Sequence, residues 1–155
     1  MSTATADVFD EHGDDAQTCE IQFRQYGGRS SFEGEISTVR CFEDNAVLKQ
    51  RVGEPAEGRV LVVDAGGSLR RALVGGQVAG LAHENGWAGI VLWGCVRDVV
   101  ELRDIPIGVK AIGSNPRPSV KRGEGEVDVP VAFGGATFRP GAMLYSDDDG
   151  IAVLG

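Results

Sequence analysis

The chain has 155 residues, a net charge of −8, 42% hydrophobic and 25% charged residues. Residues 1–155 read as one domain, long enough to bury a core without disulfides or a structural metal. The acidic balance, with no basic cluster beyond pairs such as Arg70-Arg71 and Lys121-Arg122, excludes a free nucleic-acid binder. No apolar run is long enough to span a membrane, and the polar, acidic start "MSTATADVFDEHGDDAQ" is not a signal peptide. Cys19, Cys41 and Cys95 are odd in number and contain no C-x-x-C, so they read as reduced thiols of a cytoplasmic protein.

In chain order, residues 3–15 predict a short helix, with Thr3 or Thr5 as its cap. "FEGEISTVRCF" (32–42) alternates Phe32, Gly34, Ile36 and Thr38 with polar positions, the pattern of a strand. "EDNAVLKQRVGE" predicts a short helix capped by Asp44 or Asn45. "RVLVVDAGG" (59–67) is an apolar strand running into a glycine turn. "VGGQVAGLAHENGW" predicts a helix opened by Gly75-Gly76 and closed by Gly86, with Val78, Leu81 and Ala82 on one face. "AGIVLWG" is a second buried strand, "VRDVVELRD" at most two helical turns, and "IPIGVKAIG" a third strand. Past the loop "NPRPS", short β segments are expected around 127–133 and 142–145. "DDDG" (147–150) is a turn and "IAVLG" the last strand. Strand, helix, strand, short helix, strand is the signature of a parallel α/β unit. The flanking short strands add a mixed sheet or a second β-layer.

Several stretches could carry chemistry. "VLVVDAGGS" superficially resembles the first motif of nucleotide-dependent methyltransferases, but only one glycine pair follows Asp64 and no acid ends the next strand, so a tight turn suffices. The glycines of "VGGQVAG" either let a helix and strand pack closely or leave helix N-terminal amides free for a carboxylate or phosphate, with Gln77 as a further donor. Arg97-Asp98 lies just beyond the carboxyl end of a strand, where ligands bind in open α/β sheets. The arginine can fork around a keto-acid oxygen pair and the aspartate can ligate a divalent cation. By adjacency alone, a local salt bridge is the simpler reading. Glu101 follows three residues on. In a helix it shares a face with Asp98, and a cation such as Mg²⁺ or Mn²⁺ relieves the repulsion of two converging carboxylates. His12 and His83 cannot build a zinc site by themselves. Of the lysines, Lys110 is the least implausible Schiff-base candidate.

From Gly76 to Glu101 the spacing is G-x20-R-D-x2-E. With "FRQYGGRSSFEGEISTVRCFEDN", "GRVLVVDAGGSLRRALVGG" and "FGGATFRPGAMLYSDDDGIAVL", the chain resembles the family of 4-hydroxy-4-methyl-2-oxoglutarate aldolases and RraA proteins, regulators of ribonuclease activity. The resemblance implies a swivelling β/β/α-type α/β domain with a mixed central sheet and flanking helices, assembled as a homotrimer. It implies a divalent-metal (Mg²⁺ or Mn²⁺) lyase that cleaves 4-hydroxy-4-methyl-2-oxoglutarate to two pyruvates and decarboxylates oxaloacetate through a metal-stabilised pyruvate enolate. Carried onto this chain, Gly75, Gly76, Gln77 and Val78 hold the substrate through backbone amides, Arg97 contacts the keto-acid oxygens, and Asp98 binds the metal. Many bacterial members have aspartate where this chain has Gly76; here the second acid is Glu101, the family's other variant. Members that only regulate ribonuclease E lack the acid of the Arg-Asp pair, and this chain keeps it. The alternative is a protein-binding inhibitor of ribonuclease E without catalysis. As the sequence stops at Gly155, no C-terminal extension is expected to close over the site.

Overall fold

The computed structural model describes residues 3–155. Its centre is four parallel strands, β3 (Phe32–Arg40), β4 (Val60–Asp64), β6 (Gly89–Val96) and β7 (Gly108–Ser114), in the order β3-β4-β6-β7. Crossovers through α2 (Ala46–Val52), α3 (Gly76–Glu84) and the single turn α4 (Val99–Leu102) join them. Antiparallel strands widen the sheet on both sides. β11 (Met143–Asp147), β12 (Gly150–Leu154) and β1 (Ala16–Thr18) extend it from the first half of β3, while β2 (Arg24–Gln25) borders β7. The short β8 (Glu126–Val127) pairs with the end of β3. β5 (Ala72–Val74) pairs with the end of β6, continuing the edge that β4 vacates.

The central strands are buried on both faces, so their apolar residues run nearly without interruption. Leu61 and Val63 of β4 face the helices, with Leu48 of α2 and Val78, Ala79 and Ala82 of α3. Val60 and Val62 face the opposite layer, where Phe133 and Phe138 of the β9–β10 hairpin (Val131–Phe133, Ala136–Phe138) meet Leu144 and Val153. The result is an α/β fold with a mixed sheet between a helical layer and a β layer. Phe32 shows why glycines begin β6 and β7: a Cβ on either Gly89 or Gly108 would fall on its ring. The "DDDG" segment is the turn between β11 and β12, as expected.

The predicted first helix is α1 (Thr5–His12), followed by a 3₁₀ turn at Gly13–Asp15. Its cap differs from the expectation. Ala4 stands at the N-cap without a side-chain bond, and Thr5 N and Oγ1 instead donate to Asp147 at 2.9 and 2.7 Å, tying α1 to the β11–β12 turn. Burial alone would raise the Asp147 carboxyl. The Thr5 bonds, the Asp149 amide and the Lys110 charge outweigh it and hold that group below its usual value. Because the folded-state pKa is depressed, this stabilisation is present above the unfolded carboxylate pKa, about 4, and is lost as pH falls through the folded value. Amide protection of α1 is therefore expected to fall on acidification below about pH 4. Asp147→Asn should weaken that protection already at neutral pH, by about 1 kcal/mol, and flatten the acid step. Hydrogen exchange of residues 5–12 reads both, and protection indifferent to acid and to the substitution would contradict the role of Asp147.

Candidate active site

The carboxyl ends of β5 and β6 lie side by side. The Arg97 amide donates to the Val74 carbonyl at 3.0 Å, so Gly75-Gly76 and Arg97-Asp98 leave the sheet together. Asp98 is left-handed (φ 60, ψ 43). That conformation is costly for most residues but is visited by aspartate, and such strain concentrates at functional sites. It turns the carboxylate back onto α3: Asp98 Oδ2 accepts a hydrogen bond from the Gly76 amide at 2.9 Å. The Asp98 carbonyl accepts from Leu102 N at 2.9 Å and starts α4.

Glu101 reaches the same point. A Cβ on Gly76 would fall on Glu101 Oε2, and one on Gly75 would lie 2.6 Å from Asp98 Oδ2. The two carboxylates thus meet the first residues of α3, and the glycines are what make room for them. The expectation that Asp98 and Glu101 share a helical face is not met, because Asp98 lies outside the helical turn; both reach the start of α3 instead. The local salt bridge does not form: neither Arg97 nor Asp98 has an ion-pair partner within 4.0 Å among the described residues. Both are exposed.

The first backbone bond of α3 runs from Ala79 N to Gly75 O at 3.0 Å. The amides of Gln77 and Val78 precede it and have no intrahelical acceptor, which makes them donors toward an anion. They border a small cleft, about 50 Å³, that also takes in Arg97, Asp98, Asn45, Lys49, Ser119 and Lys121. Asn45, expected as a possible helix cap, stands at the N-cap of α2 but makes no capping bond; its Nδ2 donates to the Leu73 carbonyl at 3.2 Å. Asp44 does the bonding. Its Oδ1 accepts from Ala46 N, and its Oδ2 from the amides of Arg122 and Glu124, each at 3.0 Å. Burial of Asp44 opposes ionisation, but these amides prevail and lower its pKa. With Asn45 N to Val120 O (3.2 Å) and Val120 N to Glu43 O (3.0 Å), they stitch the 118–124 segment to the start of α2.

The other nucleophile candidates are committed elsewhere. Lys110 is buried with Nζ donating to the carbonyls of Asp147 (2.6 Å) and Gly150 (3.0 Å), and burial lowers its pKa. The three cysteines are free and buried; burial, with Asp44 and Asp64 nearby, pushes the Cys41 thiol up to about 12. His83 is exposed on α3. The Gly66-Gly67 turn is packed against aromatic rings, with Phe42 beside Gly66 and Trp93 beside Gly67.

The family model for RraA-like proteins, Aldolase/RraA, matches residues 5–153. The chain belongs to that family. Two solved structures share 45% identity with this RraA-like chain, both at a TM-score of 0.96. One is the RNA-processing inhibitor RraA from Thermus thermophilis, with 99% of this chain and 93% of that one covered. The other is described as S-adenosylmethionine: 2-dimethylmenaquinone methyltransferase from Geobacillus kaustophilus, with 98% and 94% covered. Streptomyces coelicolor RraAS2, described as an unusual member of the RNase ES inhibitor RraA family, is 28% identical at a TM-score of 0.80, covering 99% of this chain and 81% of that one. Among the described residues, no group of three or more His, Cys, Asp or Glu side chains is placed to hold a metal, so the RraA-like site offers the Asp98–Glu101 pair. Two carboxylates are a sufficient protein share for Mg²⁺, which keeps several waters and takes its remaining oxygens from substrate.

Proposed function

We propose that the protein is a divalent-metal-dependent lyase that cleaves 4-hydroxy-4-methyl-2-oxoglutarate to two pyruvates and decarboxylates oxaloacetate. The observation that carries this reading is the meeting of Asp98 and Glu101 at Gly76, beside Arg97 and the first-turn amides of α3. In this reading Asp98 would hold Mg²⁺ or Mn²⁺, with Glu101 as the second acid. When bound, the cation supplies Lewis-acid polarisation of the keto oxygen. Both reactions leave a pyruvate enolate, and Arg97, which lines the cleft, would stabilise its negative charge. The amides of Gly75, Gly76, Gln77 and Val78 were expected to hold the substrate together. Gly76 N is engaged by Asp98, so the donors left for the keto-acid carboxylate are those of Gly75, Gln77 and Val78. No histidine serves as base, and the C4 hydroxyl proton is assigned to an ordered water. A homotrimer, implied by the family resemblance, is the proposed form of assembly.

Pyruvate release from both keto acids tests the proposal. Chelator should abolish it and Mg²⁺ or Mn²⁺ should restore it. Borohydride added with pyruvate should leave no adduct, since Lys110 is buried and bonded and a metal-dependent scheme gives the cleft lysines Lys49 and Lys121 no covalent role. Chelator-insensitive turnover, or an adduct on Lys110, would overturn the scheme.

A second reading rests on the relatives described as RraA inhibitors. The acidic surface would then dock on a basic stretch of ribonuclease E. Such binding should weaken with salt and ignore Asp98→Ala. Nuclease inhibition by a wild-type protein inactive on both keto acids would make this the better reading.

A further inference from the structure

The chain has three asparagines, at 45, 85 and 115, and the residue after each one sets its chemistry. An asparagine is thermolabile when the next backbone nitrogen can attack its side-chain carbonyl carbon, so that nitrogen must carry a proton to lose and must be unhindered. Asn115 precedes Pro116, whose nitrogen has no hydrogen. Asn45 is buried, and the Ala46 amide that follows it donates to Asp44 Oδ1 at 3.0 Å. Asn85 precedes Gly86, which is exposed and has no side chain to shield its nitrogen. Beyond the chain neighbours, a Cβ at Gly86 would have only the Glu57 amide nitrogen near it, at 3.8 Å.

The pair closes α3 at the end remote from the candidate active site. Asn85 is the C-cap (φ −94, ψ 10), and its Nδ2 donates back to the Leu81 carbonyl at 2.9 Å. Gly86 follows in the left-handed region (φ 82), with its amide on the His83 carbonyl at 3.2 Å. The carbonyls of Asn85 and Gly86 accept from the amides of Ala56 and Gly58, each at 2.9 Å, which joins the end of α3 to the loop before β4. The attacking nitrogen and the amide it would attack are therefore both engaged in the closed turn. Opening the last turn of α3 frees them together, and such local opening costs far less than unfolding the core.

We propose that Asn85 is a site of spontaneous covalent modification, gated by opening of the α3 C-terminus. The Gly86 amide nitrogen loses its proton and bonds to Asn85 Cγ. The Cγ–Nδ2 bond breaks, and the amide leaves as ammonia with a proton in place of the one lost, giving a cyclic imide. Water then opens the ring at either carbonyl. One opening gives aspartate; the other gives isoaspartate, with the Asn85 side chain running in the main chain. No oxidant or cofactor enters. Either product undoes the closure of α3. A carboxylate has no donor for the Leu81 carbonyl and stands at the negative end of the helix dipole. Isoaspartate also puts a methylene into the main chain and turns the carbonyl that Ala56 bonds into a free carboxylate.

Peptide mapping by mass spectrometry, on the full chain incubated at mildly alkaline pH, reads the exchange of side-chain amide for hydroxyl. Conversion should appear at Asn85 and not at Asn45 or Asn115, and it should run about tenfold or more faster in urea than in the folded protein. Asn85→Asp reports the consequence without waiting for the reaction. Hydrogen exchange of residues 81–87 and 56–58 should quicken in that variant, while β4 and β6 keep their wild-type protection. Absence of conversion at Asn85 in the folded protein would overturn the site. Equal rates with and without urea would overturn the gating, and faster conversion at Asn45 would overturn the assignment to the Gly86 nitrogen. Wild-type exchange at 81–87 in Asn85→Asp would show that the Nδ2 bond does not close the helix.

Discussion

Asp98→Ala is expected to lower pyruvate formation by roughly 10²–10³-fold while the protein stays folded. The size follows from what the carboxylate faces. It is exposed, forms no ion pair, and makes one hydrogen bond, from the Gly76 amide. Losing that bond releases an amide that water can solvate, so the stability cost is small. The functional cost is large, because the carboxylate assigned to hold the cation is gone. Arg97→Ala should match it in rate, since the guanidinium is the group assigned to stabilise the developing charge. It should also raise the KM for both keto acids, which Asp98→Asn should do less. Thermal unfolding and circular dichroism run beside the kinetics separate the cases. A variant that unfolds would show that the pair serves the strand ends; one that turns over at the wild-type rate would remove it from the chemistry.

The second large effect is an exchange between positions 76 and 101. A side chain on Gly76 would occupy the space of the Glu101 carboxylate, which is the far end of a flexible, exposed side chain. Gly76→Asp should therefore fold normally and push Glu101 aside. If both acids serve one cation, the clash of two carboxylates should weaken Mg²⁺ binding about 10–100-fold. Glu101→Gly should weaken it similarly by removing one acid. The double variant, with aspartate at 76 and glycine at 101, should recover most of the affinity because one acid again fills one space. Affinities measured by titration across the four proteins form a closed cycle. Additive losses, with no recovery in the double variant, would show that the two positions do not share a role.

The parts of the fold with strong periodicity were legible in the sequence. "VLVVD" and "GIVLWG" are two-sided strands and read as such, and the alternation of "FEGEIS" matches the buried positions of β3. β1, β2 and β10 have two or three residues each, too few for any period to show, and β5 is hidden in the apolar run that leads into Gly75-Gly76. Their pairing is set by neighbouring strands rather than by local preference. At the site, the spacing of Asp98 and Glu101 was legible but its reason was not, because the left-handed turn at Asp98 depends on how β5 and β6 end together. Asn45, Lys49 and Lys121 were not recognised as neighbours. Sequence separation hid them, although the scarcity of lysine was a signal available from composition.

The Asp44 stitching also bears on the rigidity of the cleft. A carboxylate held ionised by three backbone amides keeps the α2 side and the 118–124 side of the cleft at a set separation. Lys49 and Lys121 stand on these two elements, so the spacing of their backbones follows from that side chain. The width of the opening between α2 and the 118–124 segment is thus a property of the backbone, fixed by a side chain that does not itself line the cleft.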